Sequence, residues 1–195
     1  YPDGGGTSDT YTYNIFNQRT RLNLNGTQWL FRRDGNSATA PVLADYVVGG
    51  ATNLYNPGIS QKVSGVKKYM GADRMGSVSH EFDSSSGTSY TADFDAFGLL
   101  KSSSGSSSNR FGYAGQWGYQ SDPGSGLQLL GNRYYDASIG RFLTKDPIKD
   151  GRNWYAYCDN NPLKFVDPEG LKAGDKYKTR EEAELAAAKE GYPKA

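Results

Sequence analysis

The sequence predicts a mainly β protein, a series of short antiparallel hairpins followed by a denser C-terminal segment. Three observations carry this. Aromatic or aliphatic residues alternate with polar ones in short runs, the period of a strand with one dry face. Asn-Gly and Asp-Gly pairs separate the runs, the strongest short-range signal for hairpins. The chain also holds 25 Gly for tight turns and 15 Tyr, whose part-polar rings suit half-buried strands.

The alternation opens between Asp9 and Asp34, with turns at Asn25-Gly26 and Asp34-Gly35. It returns from Asp45 to Tyr55, Gly65 to Met70, Ser77 to Phe82 and Ser89 to Phe94. A loose unit recurs: an aromatic, a polar residue, two variable residues, then Gly or Asn. It reads Tyr13-Asn14-Ile15-Phe16-Asn17 and Phe94-Asp95-Ala96-Phe97-Gly98, and Tyr135 to Gly140 is a version with one extra residue. Repetition of a strand-turn unit predicts a repeat architecture in which each unit buries its face against its neighbours. Residues 101–109 form a Ser/Gly tract and read as a flexible, exposed loop. From Asp175 the pattern turns helical, with a capping box at Thr179-Arg180-Glu181-Glu182, helix formers over 183–190, and Gly191 as the stop.

Composition excludes several function classes. With 22 basic and 21 acidic side chains there is no electrostatic footprint for nucleic acid. One Cys (Cys158) and one His (His80) argue against a disulfide framework, a thiolate or multi-histidine metal site, and any cofactor held that way. No apolar run is long enough to span a bilayer. No signal peptide is evident, and the start, Tyr1-Pro2-Asp3-Gly4, reads as mid-chain, so further repeats are expected upstream.

From Phe111 to Leu171 the pattern is far less degenerate. It contains Phe-Gly-Tyr-Ala-Gly-Gln at 111–116, Asn132-Arg-Tyr-Tyr-Asp136, Ile139-Gly-Arg-Phe-Leu143 and Thr144-Lys-Asp-Pro147. Asn153-Trp-Tyr-Ala-Tyr157, Asn160-Asn-Pro162 and Val166-Asp-Pro-Glu-Gly-Leu171 follow. This run of some sixty residues resembles the RHS-repeat-associated core domain of RHS (YD-repeat) polymorphic toxins and Tc-toxin C components. The resemblance implies a spiral of β-hairpin repeats over 1–110 and a core over 111–171 that plugs the shell. The start of a variable, helical C-terminal region would follow over 172–195. The parent would be secreted or displayed at the cell surface. Its partners would be its own C-terminal effector and upstream repeats, with an immunity protein or a secretion-system component.

The resemblance further implies a single-turnover aspartic autoprotease that cuts between Leu171 and Lys172, where the pattern also changes character. Asp146 and Asp167 occupy the catalytic positions, each followed by a proline, Pro147 or Pro168, that stiffens the turn. Two carboxylates held close share a proton, so one can activate water while the other acts as an acid. Gly170 would allow a sharp bend at the cut, and Arg141 is the nearest candidate partner for a carboxylate. The first site departs from the family's Asp-Pro-x-Gly, reading Asp146-Pro147-Ile148-Lys149 with the glycine displaced to Gly151. Read without the resemblance, both Asp-Pro pairs are ordinary turn starters. A non-cleaving structural repeat protein and a carbohydrate-binding surface module therefore stay open as alternatives.

Overall fold

In the computed structural model the described residues are 9–175, apart from 17, 37–39, 84–86, 123 and 150. The first ten strands form one antiparallel sheet in which sequence order is spatial order. They are β1 (Thr10–Tyr13), β2 (Arg19–Leu24), β3 (Thr27–Arg33), β4 (Val42–Val47) and β5 (Thr52–Asn56), followed by β6 (Ser60–Val63), β7 (Val66–Ala72), β8 (Val78–Asp83), β9 (Gly87–Phe94) and β10 (Leu100–Gly105). The expected mainly β architecture is borne out.

Turn chemistry sets the meander. Asn25 and Gly26 both take positive φ, 47° and 83°, the two-residue turn whose twist matches its strands, and Leu24 pairs with Thr27 across it. The recurring aromatic-polar unit is an Asx turn. The Asp95 carboxylate accepts the Phe97 and Leu99 amides at 2.9 and 3.0 Å, while the Gly98 amide donates to the Asp95 carbonyl. Asp73 does the same with Met75 and Ser77, and Asn14 with Phe16 and Gln18.

Two stretches depart from the sequence reading. Half of the tract read as a loop is strand β10, paired with β9 and exposed along its length. Serine side chains do not oppose strand geometry, and the open edge of β9 offers backbone partners; Ser102 also bonds Asp93 at 2.8 Å. Strand β6 was not anticipated because Ser60-Gln61-Lys62 lacks apolar alternation, yet it pairs with both β5 and β7, and Gln61 is buried.

One face of the sheet is covered by the segment that follows. That segment folds as a small four-stranded sheet, β11 (Gln120–Ser121), β12 (Gln128–Leu130), β13 (Arg133–Asp136) and β14 (Arg141–Phe142), with a two-stranded pair, β15 (Phe165–Val166) and β16 (Gly174–Asp175). Its centre is a tyrosine cluster: Tyr113, Tyr119, Tyr135 and Tyr157, packed with Leu130, Phe142 and Val166. Edge-to-face contacts link these rings, and Tyr119 and Tyr157 share a hydroxyl bond of 3.0 Å. Cys158 is buried in the same cluster, and His80 lies exposed on β8.

The Asx turns of the sheet are the docking points for this cluster. The Tyr113 hydroxyl donates to the Ala96 carbonyl at 2.8 Å and that of Tyr135 to the Phe97 carbonyl at 2.6 Å. The Tyr113 ring lies so close over Gly98 that a Cβ there would sit 2.5 Å from it. Two buried ion pairs also cross between the sheet and the segment, Arg19 with Asp122 at 3.0 Å and Arg110 with Asp45 at 2.6 Å.

The C-terminal reading needs one correction. Gly174–Asp175 is a strand paired with Phe165–Val166, so chain directly after Lys172 is extended rather than helical. Ala173 packs against the tyrosine cluster, which holds that extension in place. The capping box at 179–182 and the helix expected over 183–190 lie outside the described residues.

Candidate functional site

Three loops of the C-terminal segment converge around one guanidinium. Arg133 opens β13, and strand alternation puts it on the same buried face as Tyr135. Its guanidinium stacks on the Phe142 ring, 3.7 Å from the centroid. Each of its nitrogens faces an acceptor. Nε donates to the Gly170 carbonyl and Nη1 to the Trp154 carbonyl at 3.1 Å. Nη2 lies 3.4 Å from Oδ2 of Asp167 and 4.0 Å from Oδ2 of Asp146. Both carboxylates are buried, so each depends on such partners to offset lost hydration.

The two aspartates open matching backbone turns, each carbonyl accepting the amide three residues on, and Asp146 adds the Asx bond that shapes the repeats. Asp146 accepts the Ile148 amide at 3.0 Å, and its carbonyl accepts the Lys149 amide. Asp167 accepts the Leu171 amide at 2.9 Å and the Lys172 amide at 3.1 Å, and its carbonyl accepts the Gly170 amide. Gly170 has φ 62°, and Lys149, where the first Asp-Pro site lacks glycine, takes the same left-handed conformation at φ 56°. The turn therefore forms without the glycine. At Gly170 the residue type is dictated by space: a Cβ would lie 2.2 Å from the Leu130 carbonyl oxygen.

The backbone of the second turn is held from both sides. The Asp167 amide donates to the Tyr119 hydroxyl at 2.7 Å, and the Glu169 carbonyl accepts both the amide and the side chain of Asn132. Between the two turns lies a cavity of about 20 Å³ lined by Arg133, Asp146, Asp167, Leu171 and Lys172. That volume holds one water molecule.

The chain is 33% identical over 178 residues to the tRNA3(Ser)-specific nuclease WapA of Bacillus spizizenii, covering 83% of this chain and 7% of that protein. It is 45% identical over 49 residues to the toxin subunit YenC2 of Yersinia entomophaga, 24% of this chain and 5% of that protein. Among solved structures, a Photorhabdus luminescens Tc holotoxin pore containing TccC3 aligns with TM-score 0.64 at 20% identity, over 89% of this chain and 9% of that one. No family model matches. The chain belongs to the RHS-repeat proteins of the polymorphic-toxin class. It spans less than a tenth of the length of each of these three relatives.

Within this RHS chain, burial pushes the Asp167 carboxyl above the ordinary aspartate value. The Leu171 and Lys172 amides and the Arg133 guanidinium pull against that shift, and nearby Asp146 adds to it. Burial likewise lowers Arg133 from the ordinary guanidinium value, with Asp146 and Asp167 opposing.

The structure brings Asp146, Asp167, Leu171 and Lys172 of the RHS chain around one cavity, with Pro147, Pro168 and Gly170 in the two turns. Arg141 is elsewhere. Phe142 beside it points into the core, so alternation sends Arg141 outward, where it is exposed and stacks on Tyr155 at 5.3 Å. The carboxylates' ionic partner is Arg133, which the sequence reading missed. Its signal was present: in Arg133-Tyr134-Tyr135, an arginine two positions before a core tyrosine shares its inward face.

Proposed function

We propose that this chain is the C-terminal shell and plug segment of an RHS toxin-delivery protein, and that it cuts itself once between Leu171 and Lys172. Encapsulation of a C-terminal effector by the parent, and its secretion or surface display, belong to the same proposal. One observation carries the cleavage reading: Asp167 Oδ1 lies 3.1 Å from the amide nitrogen of Lys172, the leaving atom of that bond.

The chemistry follows from the two environments. Asp167, raised by burial, is suited to carry a proton and give it to the Lys172 nitrogen. Asp146, across the guanidinium, is suited to take a proton from water in the adjoining cavity. Water oxygen adds to the Leu171 carbonyl carbon, the C–N bond breaks, and a Leu171 carboxylate and a Lys172 amine result. Arg133 tethers the Gly170 carbonyl and both carboxylates, so it positions all three.

Asparagine at either aspartate keeps an oxygen for the backbone amides that the carboxylate accepts while removing the acid-base function. Asp146→Asn and Asp167→Asn are therefore expected to fold and to stop the appearance of a peptide beginning at Lys172. Arg141→Ala should cut at the wild-type rate. A peptide beginning at Lys172 that persists in both asparagine variants would rule out the aspartates as its cause, and an uncut wild-type chain would leave the non-cleaving, structural reading in its place.

A further inference from the structure

Three buried tyrosines carry a chain of hydroxyl groups from the candidate cleavage site to the sheet: Tyr119, Tyr157 and Tyr113. At one end the Asp167 amide donates to the Tyr119 hydroxyl at 2.7 Å. The Tyr119 and Tyr157 hydroxyls bond at 3.0 Å, and that of Tyr157 also bonds that of Tyr113. At the other end the Tyr113 hydroxyl donates to the Ala96 carbonyl at 2.8 Å. Ala96 lies in the Asx turn that Asp95 closes between β9 and β10.

The two ends fix the sense of everything between them. A backbone amide can only donate and a carbonyl can only accept. The donor sense therefore runs from the Asp167 amide to Tyr119, to Tyr157, to Tyr113 and to the Ala96 carbonyl. Each hydroxyl in the chain accepts one bond and donates one, so every buried donor is matched. Burial pushes all three phenols up, so each keeps the proton it donates. Bonds in series polarise one another, and the loss of one weakens the next. The Asp167 carboxylate holds the Leu171 and Lys172 amides, so a shift of its backbone moves the group that faces the proposed scissile bond.

We infer that Tyr119 is a positioning residue for Asp167, oriented through Tyr157 and Tyr113 by the 95–98 turn of the sheet. The inference rests on the self-cleavage proposed above. When Tyr113 lacks its acceptor on the sheet, the chain loses its orientation from that end. Asp167 is then placed less tightly against the bond to be cut.

The test is timed cell-free synthesis of the whole chain, quenched in guanidinium, with the peptide beginning at Lys172 followed by mass. Tyr119→Phe should slow its appearance by about tenfold, the scale of one lost hydrogen bond. Tyr157→Phe and Tyr113→Phe should slow it less, in that order. Tyr135→Phe is the structural control. It loses a hydroxyl bond of the same kind, to the Phe97 carbonyl of the same turn, but lies outside the chain and should cut at the wild-type rate. A second readout is the amide proton of Asp167 in the ¹⁵N-labelled Asp146→Asn chain. It should move upfield with Tyr119→Phe, and by less with Tyr157→Phe, while Tyr135→Phe leaves it in place. Near-ultraviolet circular dichroism checks the fold of each variant, and Tyr157→Phe, which leaves the Asp167 amide its acceptor, carries the test should Tyr119→Phe not fold. Tyr119→Phe cutting as fast as wild type, or Tyr135→Phe cutting as slowly as Tyr119→Phe, would overturn the positioning role while self-cleavage stands. An uncut wild-type chain would overturn both.

Discussion

Asp167 does two jobs with one carboxylate: it closes a turn, and it touches the nitrogen of the bond proposed to break. Its raised affinity for a proton gives a signed expectation. A group that binds its proton more tightly when folded stabilises the fold fully below the ordinary aspartate value. That contribution is lost as pH rises through the raised value. Thermal midpoints measured from mild acid to neutrality should fall along this limb in wild type, and the limb should be absent in Asp167→Asn. Parallel curves would show that Asp167 titrates as it does in the unfolded chain. A second expectation concerns Lys149, which holds a left-handed conformation at φ 56°. Lys149→Gly should raise stability by about 1 kcal/mol, read from urea denaturation, because glycine adopts that region without a Cβ clash. The residues at the proposed cut were singled out through the family resemblance, since an Asp-Pro pair by itself reads as an ordinary turn starter. Arg133 was not, because an arginine in a strand reads as a surface residue until the facing core is known.

The Asx turn is the element on which the molecule is built. It shapes the sheet at Asn14, Asp73 and Asp95 and recurs at Asp146 in the candidate site, while the Asp167 carboxylate caps amides further along the chain. A catalytic aspartate and a structural one therefore look alike in sequence, and only the neighbourhood of the second carboxyl oxygen separates them. Asp95→Ala should cost about 1–2 kcal/mol through two lost amide bonds and a displaced docking point for Tyr113 and Tyr135. Asp95→Asn should recover most of that loss, and equal losses in the two variants would count against the turn as the cause. Hairpins closed by Asn-Gly were readable because turn and alternation agree. Strands β6 and β10 were not, since they form by backbone pairing to a neighbour that already exists, with little pattern of their own.

At the scale of the whole molecule, sheet and C-terminal segment are joined by buried charge as well as by rings. Arg110 reaches Asp45, which also accepts from Asn53 and Tyr55, and lies over the Phe31 ring at 4.8 Å. Arg110→Met strands a buried carboxylate and should cost about 3 kcal/mol. Far-ultraviolet and tyrosine near-ultraviolet signals should melt together in wild type, since neither part keeps a closed core without the other. Two separate wild-type transitions would show that the parts fold independently. That the segment packs on the sheet was legible only through the family resemblance. Packing partners distant in sequence leave no local pattern, and Gly98 beneath Tyr113 is explained only once both are placed.

Cleavage between Leu171 and Lys172 is read directly from the intact mass of the freshly purified chain. Self-cleavage gives two species, one ending at Leu171 and one beginning at Lys172, and a single uncut mass for Asp167→Asn. Spontaneous acid scission would instead fall after Asp146 or Asp167, at the Asp-Pro bonds, and so gives different masses. An uncut wild-type chain at neutral pH, or fragments that end only at those aspartates, would contradict self-cleavage at Leu171.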